Sequence, residues 1–411
     1  MKSVLVVGAS LAGVRASDSI LKYNSDVVVT LIGDEIHPPY NRPPLSKEAL
    51  ATGSDLDSIK LRLSNKDGRL NMVLGSAVVS HDGRSKEVMT ADGSSLAYDC
   101  LVVATGISPR RLAIPRVDSG IFQLRTYDDM SKLLGQLRTG EGEVKEVVVL
   151  GAGFIGCEIA ATLTTLGHRI TVVAPEVAPM QRPLGVVLGG EIQRRHELSG
   201  VKFHMEKLPI AVEAVSGEGF VNGKGPTDLQ VHLSDGDRIR CDLVIEAVGS
   251  TPNTSFLDSS FFDLSDGLLV DERLYAGDGV FAVGDVARYP NLLIDATPRR
   301  IEHWGLAVDS GRYVGRSVRS YFDGSEVEAF STLPAFWSDQ FEIRLQSFGL
   351  PGLVQSQEDI SIIEGDVEGD CAFGYYLEGD LVGVVVVGMA HEHRRLKEKV
   401  EASLSNRIAS K

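Results

Sequence analysis

Two stretches of this 411-residue chain set small residues beside a nearby carboxylate, a pairing suited to phosphate and ribose. Gly151-Ala152-Gly153-Phe154-Ile155-Gly156 is a complete G-x-G-x-x-G between an apolar strand-like run at 147–150 and a helical pattern at 157–163. Such glycines let backbone N–H groups approach a pyrophosphate, and the helix that follows aims its positive end at the same spot. About twenty residues beyond the last glycine stands Glu176, placed to accept hydrogen bonds from a ribose. The N-terminus repeats the arrangement. Val4-Leu5-Val6-Val7 runs into Gly8-Ala9-Ser10-Leu11-Ala12-Gly13, and the strand pattern at 27–32 ends in Gly33-Asp34-Glu35. Ser10 occupies the second glycine position, so taken alone this first turn is also compatible with an ordinary strand–turn–helix that binds no nucleotide. The recurrence of the whole pattern points to two dinucleotide units and two dinucleotides.

The elements that must carry these turns are parallel strands buried on both faces, each followed by a helix. A composition 43% hydrophobic and 24% charged is that of an ordinary soluble globular protein, and the length suggests two or three domains. The strand begins within three residues of Met1, which leaves no room for a secretory leader. The apolar run at 381–390 is too short to span a bilayer. A cytoplasmic location without membrane or nucleic-acid partners is expected, since a net charge of −15 repels phosphate backbones. Cys100, Cys157, Cys241 and Cys371 form no C-x-x-C or C-x4-C pair, so dithiol chemistry, iron–sulfur ligation and zinc ligation have no supporting spacing. They read as small buried hydrophobes.

His37-Pro38-Pro39-Tyr40-Asn41-Arg42-Pro43-Pro44-Leu45-Ser46-Lys47 reads as a proline-stiffened, non-helical loop that holds Arg42 and Lys47. The two cations either serve a site or lie solvated on a rigid surface. P-Y-x-R-P-P-L-S-K after the first turn resembles the ferredoxin reductases of oxygenase systems, the family of putidaredoxin reductase and biphenyl dioxygenase reductase. Further matching segments follow in order: Ala104-Thr105-Gly106, Thr251-Pro252-Asn253, the strand ending Gly284-Asp285, His303-Trp304, and Phe336-Trp337-Ser338-Asp339-Gln340.

The resemblance implies an α/β fold with two Rossmann-like, glutathione-reductase-like domains and a C-terminal α+β domain. An FAD domain would comprise 1–107 and 246–320, an NAD domain 108–245, and the C-terminal domain 321–411. Between 53 and 100, short strands near 71–74 and 87–90 suggest an antiparallel excursion. On the FAD side it implies Gly8, Ser10, Ala12, Gly13, Asp34, Glu35, Arg42, Lys47, Val78, Ala104, Thr105, Gly106, Arg125, Gly284, Asp285, His303 and Trp304. Asp285 would meet the ribityl hydroxyls, and a helix starting near 300–304 would turn its positive end toward the flavin pyrimidine. Arg125 is equally readable as a structural arginine, and Trp304 as core packing. On the NAD side it implies Gly151, Gly153, Phe154, Ile155, Gly156, Glu158, Glu176, Arg182 and Gly249. Glu176 favours NADH by repelling a 2′-phosphate, while Arg182 leaves NADPH open.

Lys47, Glu158 and Trp337 are the catalytic candidates. Lys47 and Glu158 would pair across the flavin to orient the nicotinamide, the alternative for Glu158 being a solvated helix residue. Trp337 would lie between flavin and acceptor, the alternative being a buried interface tryptophan. The implied activity takes electrons from NADH through FAD to a [2Fe–2S] ferredoxin one at a time, as the reductase of a multicomponent oxygenase or P450 system such as those of aromatic-hydrocarbon catabolism. Rubredoxin reduction and an apoptosis-inducing-factor-like, NADH-responsive flavoprotein remain alternatives. A monomer or homodimer is expected, with Arg299, Arg300 and Arg312 as a local basic patch for an acidic ferredoxin. The tail after Met389, with His391, His393, Arg394 and Arg395, reads as solvated surface.

Overall fold

The computed structural model describes residues 1–63, 68–138, 143–215 and 228–409. Lys2–Val7 is central in a six-stranded sheet, with Val27–Ile32 and Cys100–Val103 as parallel neighbours on its two sides. That position explains its unbroken apolar run: both faces are covered. Leu70–Val73 and Val280–Ala282 extend the sheet in parallel, and Tyr275–Gly277 closes one edge antiparallel. Helices Leu11–Tyr23 and Trp304–Asp323 cover one face together. A Cβ at Gly311 would stand 2.7 Å from the Ala12 carbonyl oxygen, so only a glycine permits this approach.

The second unit repeats the scheme. Glu146–Leu150 lies between parallel Arg169–Val173 and Leu243–Glu246, with Lys202–His204 and Ile121–Phe122 as edges. Each unit also carries a three-stranded antiparallel sheet, at 78–97 in the first and from Pro209–Ala214, Leu229–Leu233 and Arg238–Cys241 in the second. The two crossings between units are tied together: Ile107–Pro109 pairs antiparallel with Ser250–Pro252. Asn253 clamps the join, its amide donating to the Thr105 carbonyl at 3.0 Å while its own carbonyl accepts from the Thr105 hydroxyl at 2.7 Å.

The third unit is a five-stranded antiparallel sheet ordered Ala335–Gln340, Ile343–Gly349, Asp380–Val387, Cys371–Leu377, Ile360–Gly365. Its core merges with Met180, Leu184, Leu188 and Ile192 of the second unit.

Four local expectations change. The segment at 37–47 is not wholly irregular, because Pro43–Ser46 forms a 3-10 turn with proline at its start, where a missing N–H costs nothing. Leu70–Val73 joins the main parallel sheet instead of the excursion, as an edge strand with only Leu70 buried. The helix expected near residue 300 begins at Trp304, since Pro298–Arg300 pairs as a strand with Ala287–Pro290, and it runs through position 321 to Asp323 before the third unit's sheet starts at Ala335. The tail is a helix, His393–Ala409, with Leu396, Val400 and Leu404 fully buried. These three recur every fourth residue and form one apolar stripe within a charged sequence. Leu404→Ala should therefore cost about 2–5 kcal/mol of unfolding free energy, measured by denaturant titration.

Candidate active site

Gly8 leaves the first strand at φ +116°, and a Cβ there would stand 2.1 Å from the Ala104 carbonyl oxygen. The turn is thus pressed against the neighbouring Ala104-Thr105-Gly106 segment. Ser10 is extended, at φ −120°, a conformation open to any residue, which is why serine can replace the second glycine. Its hydroxyl does not cap the helix and instead accepts from Arg42 Nε at 3.3 Å. Arg42 also reaches Glu35 at 2.5 Å and the Arg125 carbonyl at 2.7 Å, and the Tyr40 hydroxyl donates to Glu35. Glu35 is therefore engaged by Arg42 and Tyr40, while Asp34 is exposed. Val78 sits half-buried against the same core, just past Ser76, whose N–H bonds the Gly33 carbonyl.

Asp285 follows Gly284 in a short turn, with Arg125 Nη2 3.4 Å from its carboxylate. Burial pushes the Asp285 carboxyl above the usual range, and Arg125 opposes that shift. His303 is the residue before the Trp304–Asp323 helix, and burial lowers its imidazole to about 4, so it is neutral near pH 7. Its Nδ1 and the Arg125 Nε are buried without partners. Helices Leu11–Tyr23, Phe154–Thr165 and Trp304–Asp323 all lack a side-chain cap at their N-termini, whereas Tyr127–Leu137 has a full capping box from Thr126 and Asp129. Uncapped amide ends, unpartnered buried nitrogens and the Arg42 guanidinium fit the phosphates and ring of FAD.

In the second turn Gly151 has φ +107°, and a Cβ would lie 2.3 Å from the Ala247 carbonyl oxygen. Gly153 and Gly249 face open space, Phe154 packs on Phe336 at 4.8 Å, and Ile155 is exposed. Gly156 closes the turn beneath Gly151. Glu176 is half-buried and Arg182 exposed.

Between the two turns lies the ion pair. Lys47 Nζ is 2.8 Å from Glu158 Oε2, and Glu158 is only 3% exposed, so the solvated alternative is excluded. The Ser46 hydroxyl donates to Oε2 and the Ser338 hydroxyl to Oε1, each at 2.6 Å. Three units therefore meet on one carboxylate. Trp304 and Trp337 contact edge-to-face at 5.6 Å, each 37% exposed, so neither is a buried core tryptophan. Trp304 Nε1 donates to Asn41 at 2.8 Å.

The basic patch is not as expected. Arg299 is paired with Asp295, and Arg300 with Asp266 and Glu302, which leaves Arg312 exposed on the helix. Asn41, Ser46, Ser338, Gln340 and Asn253 stand in the quoted motifs, but the sequence assigned them no role. The inward pair Ser338 and Gln340 had a signal, because they alternate with Trp337 and Asp339 along one strand.

Residues 2–311 match the pyridine nucleotide-disulphide oxidoreductase family, and residues 335–409 match the reductase C-terminal family. The chain belongs to the pyridine nucleotide-disulphide oxidoreductases. It is similar to rhodocoxin reductase of Rhodococcus erythropolis, 32% identical over 95% of this chain and 87% of the relative. It is also similar to the ferredoxin–NAD(+) reductase component of the anthranilate 1,2-dioxygenase system of Burkholderia cepacia, at 31% over 94% and 91%. Among solved structures, the ferredoxin reductase for the CYP199A2 system of Rhodopseudomonas palustris superposes with a TM-score of 0.85 at 30% identity, covering 96% of this chain and 93% of the other. Within this pyridine nucleotide-disulphide oxidoreductase all four cysteines are buried, and burial pushes their thiols up, Cys371 to about 11 and Cys241 to about 12. Among the described residues no helix is long and apolar enough to cross a membrane.

Gly8→Ala should yield protein that purifies without yellow colour. Gly151→Ala should retain the flavin but lose nicotinamide binding, as read by absorbance and by NAD+ titration.

Proposed function

We propose that the chain moves electrons from NADH through FAD to a [2Fe–2S] ferredoxin, as the reductase of an oxygenase or P450 system. The observation that carries this is the buried Lys47–Glu158 pair, which ties the segment after the first turn to the helix after the second, beside the buried Cys157. Arg42 reaches the first turn at Ser10, and five residues later Lys47 reaches the helix that follows the second turn. With a dinucleotide on each turn, the pair would lie between them. Bound FAD supplies the exchange between the electron pair of NADH and the single electrons an iron–sulfur protein accepts.

The chain's own residues do the positioning. The N-termini of Leu11–Tyr23 and Phe154–Thr165 offer free amides and roughly half a positive charge each to the pyrophosphates. Arg42 adds a full charge beside the first. Asp285 would accept hydrogen bonds from the ribityl hydroxyls, and the uncapped start of Trp304–Asp323 would favour negative charge at the ring edge it faces. Lys47 and Glu158 present one donor and one acceptor, held against rotation by Ser46 and Ser338, to orient the nicotinamide carboxamide. The Trp304 and Trp337 rings line the route outward, and a ferredoxin docks over them, with Arg312 contributing positive charge. Glu176 disfavours a 2′-phosphate, so NADH is the donor. The site works in the cytoplasm, in a monomer or homodimer.

The test is steady-state oxidation of NADH and NADPH by the yellow holoenzyme with ferricyanide, a [2Fe–2S] ferredoxin, a rubredoxin and oxygen as acceptors. NADH should outpace NADPH by about tenfold or more in kcat/KM, equivalent to about 1.4 kcal/mol, with fast reduction of ferredoxin and little oxygen consumed. Slow turnover on every acceptor with a stable charge-transfer band would make the protein an NADH-responsive flavoprotein instead. Trp337→Ala should slow ferredoxin reduction while leaving NADH oxidation with ferricyanide nearly unchanged.

A further inference from the structure

Behind Glu158 and Ser338 a buried hydrogen-bonded chain continues into the second unit. Ser338 Oγ donates to Glu158 Oε1 at 2.6 Å and accepts from Gln340 Nε2 at 2.9 Å. Gln340 Oε1 lies 2.8 Å from His196 Nε2, inside the second unit. Ser338 and His196 are fully buried, and Gln340 is 1% exposed. Only one arrangement of protons satisfies the chain. His196 Nδ1 is buried without a partner, so the ring carries its single proton on Nε2 and donates it to Gln340 Oε1. That contact orients the amide, turning its N–H toward Ser338. The hydroxyl, already accepting from Gln340, has its one hydrogen left for Glu158. The burial that lowers the His196 imidazole agrees with a neutral ring. Phe203 and Phe341 contact the ring edge-to-face at 5.9 and 5.0 Å and fix its plane.

We propose that Ser338, Gln340 and His196 are positioning residues, a one-directional donor chain that locks the Glu158 carboxylate where it meets both Lys47 and the nicotinamide. The proposal rests on Glu158 facing the nicotinamide, the arrangement proposed for electron transfer. Its consequence is that the second and third units jointly set nicotinamide affinity. A hydroxyl on strand Ala335–Gln340 does the setting, and an amide two residues along the same face points it.

The experiment compares the holoenzyme with Glu158→Gln, Ser338→Ala, Ser338→Thr and the Glu158→Gln/Ser338→Ala double variant. NAD+ dissociation constants are taken from flavin absorbance, the charge-transfer band from the reduced enzyme with NAD+, and integrity from FAD content and thermal unfolding. The chain requires Glu158→Gln and Ser338→Ala each to weaken NAD+ by about tenfold and to diminish the band, the usual scale for one hydrogen bond to a charged group. Ser338→Thr, which keeps the hydroxyl, should stay near the parent, and the double variant should bind no more weakly than Glu158→Gln alone. If Glu158→Gln weakens NAD+ while Ser338→Ala behaves like the parent, the chain is only packing and the proposal falls. If Glu158→Gln leaves NAD+ affinity untouched, the placement of Glu158 at the nicotinamide falls, and the chain's role with it.

Discussion

A carboxylate and an ammonium withdrawn from water must compensate each other closely, and the Lys47–Glu158 pair makes that demand on the whole molecule. Taking charges out of water costs several kcal/mol per ion, so removal of either partner leaves an expensive orphan. Lys47 arrives from the proline-rich segment of the first unit, Glu158 from the helix of the second, and Ser338 from the edge strand of the third. The pair is satisfied only when all three are docked. The proline-stiffened approach then makes sense: fixed φ angles at Pro43 and Pro44 limit where Lys47 can be, and Tyr40, Leu45 and Leu50 anchor the segment in the second unit's core.

The two nucleotide turns solve one steric problem twice. Each parallel strand ends against the backbone of a neighbouring segment, Ala104 in one unit and Ala247 in the other, so the first residue out has no room for a Cβ and adopts positive φ. Two residues further on the turns diverge. Ser10 is tolerated because its backbone is extended, and its hydroxyl becomes a contact for Arg42. The helices after both turns and Trp304–Asp323 lack side-chain caps, as does Gln181–Leu198, and their free amide ends are open to ligands.

The membership of a disulphide oxidoreductase family without a working dithiol is resolved by the same packing. Buried, separated thiols with raised proton affinity neither attack nor exchange. The Trp304 and Trp337 rings, by contrast, meet edge-to-face and remain partly exposed.

The sequence by itself determined the two dinucleotide units and the absence of dithiol spacing, because buried parallel strands and phosphate turns impose local patterns of apolar runs and glycines. Lys47, Glu158, Asp285 and Trp337 were expected through family motifs, and the burial of Leu396, Val400 and Leu404 could have been read from their spacing of four. Only the tertiary structure decided that Arg299 and Arg300 are neutralised by acids, Asp295 within four residues and Asp266 from a distant loop. It alone joined His196 to Gln340, residues 144 positions apart. Pairings of this kind depend on which surfaces dock, and docking leaves no periodic trace in either partner's own segment.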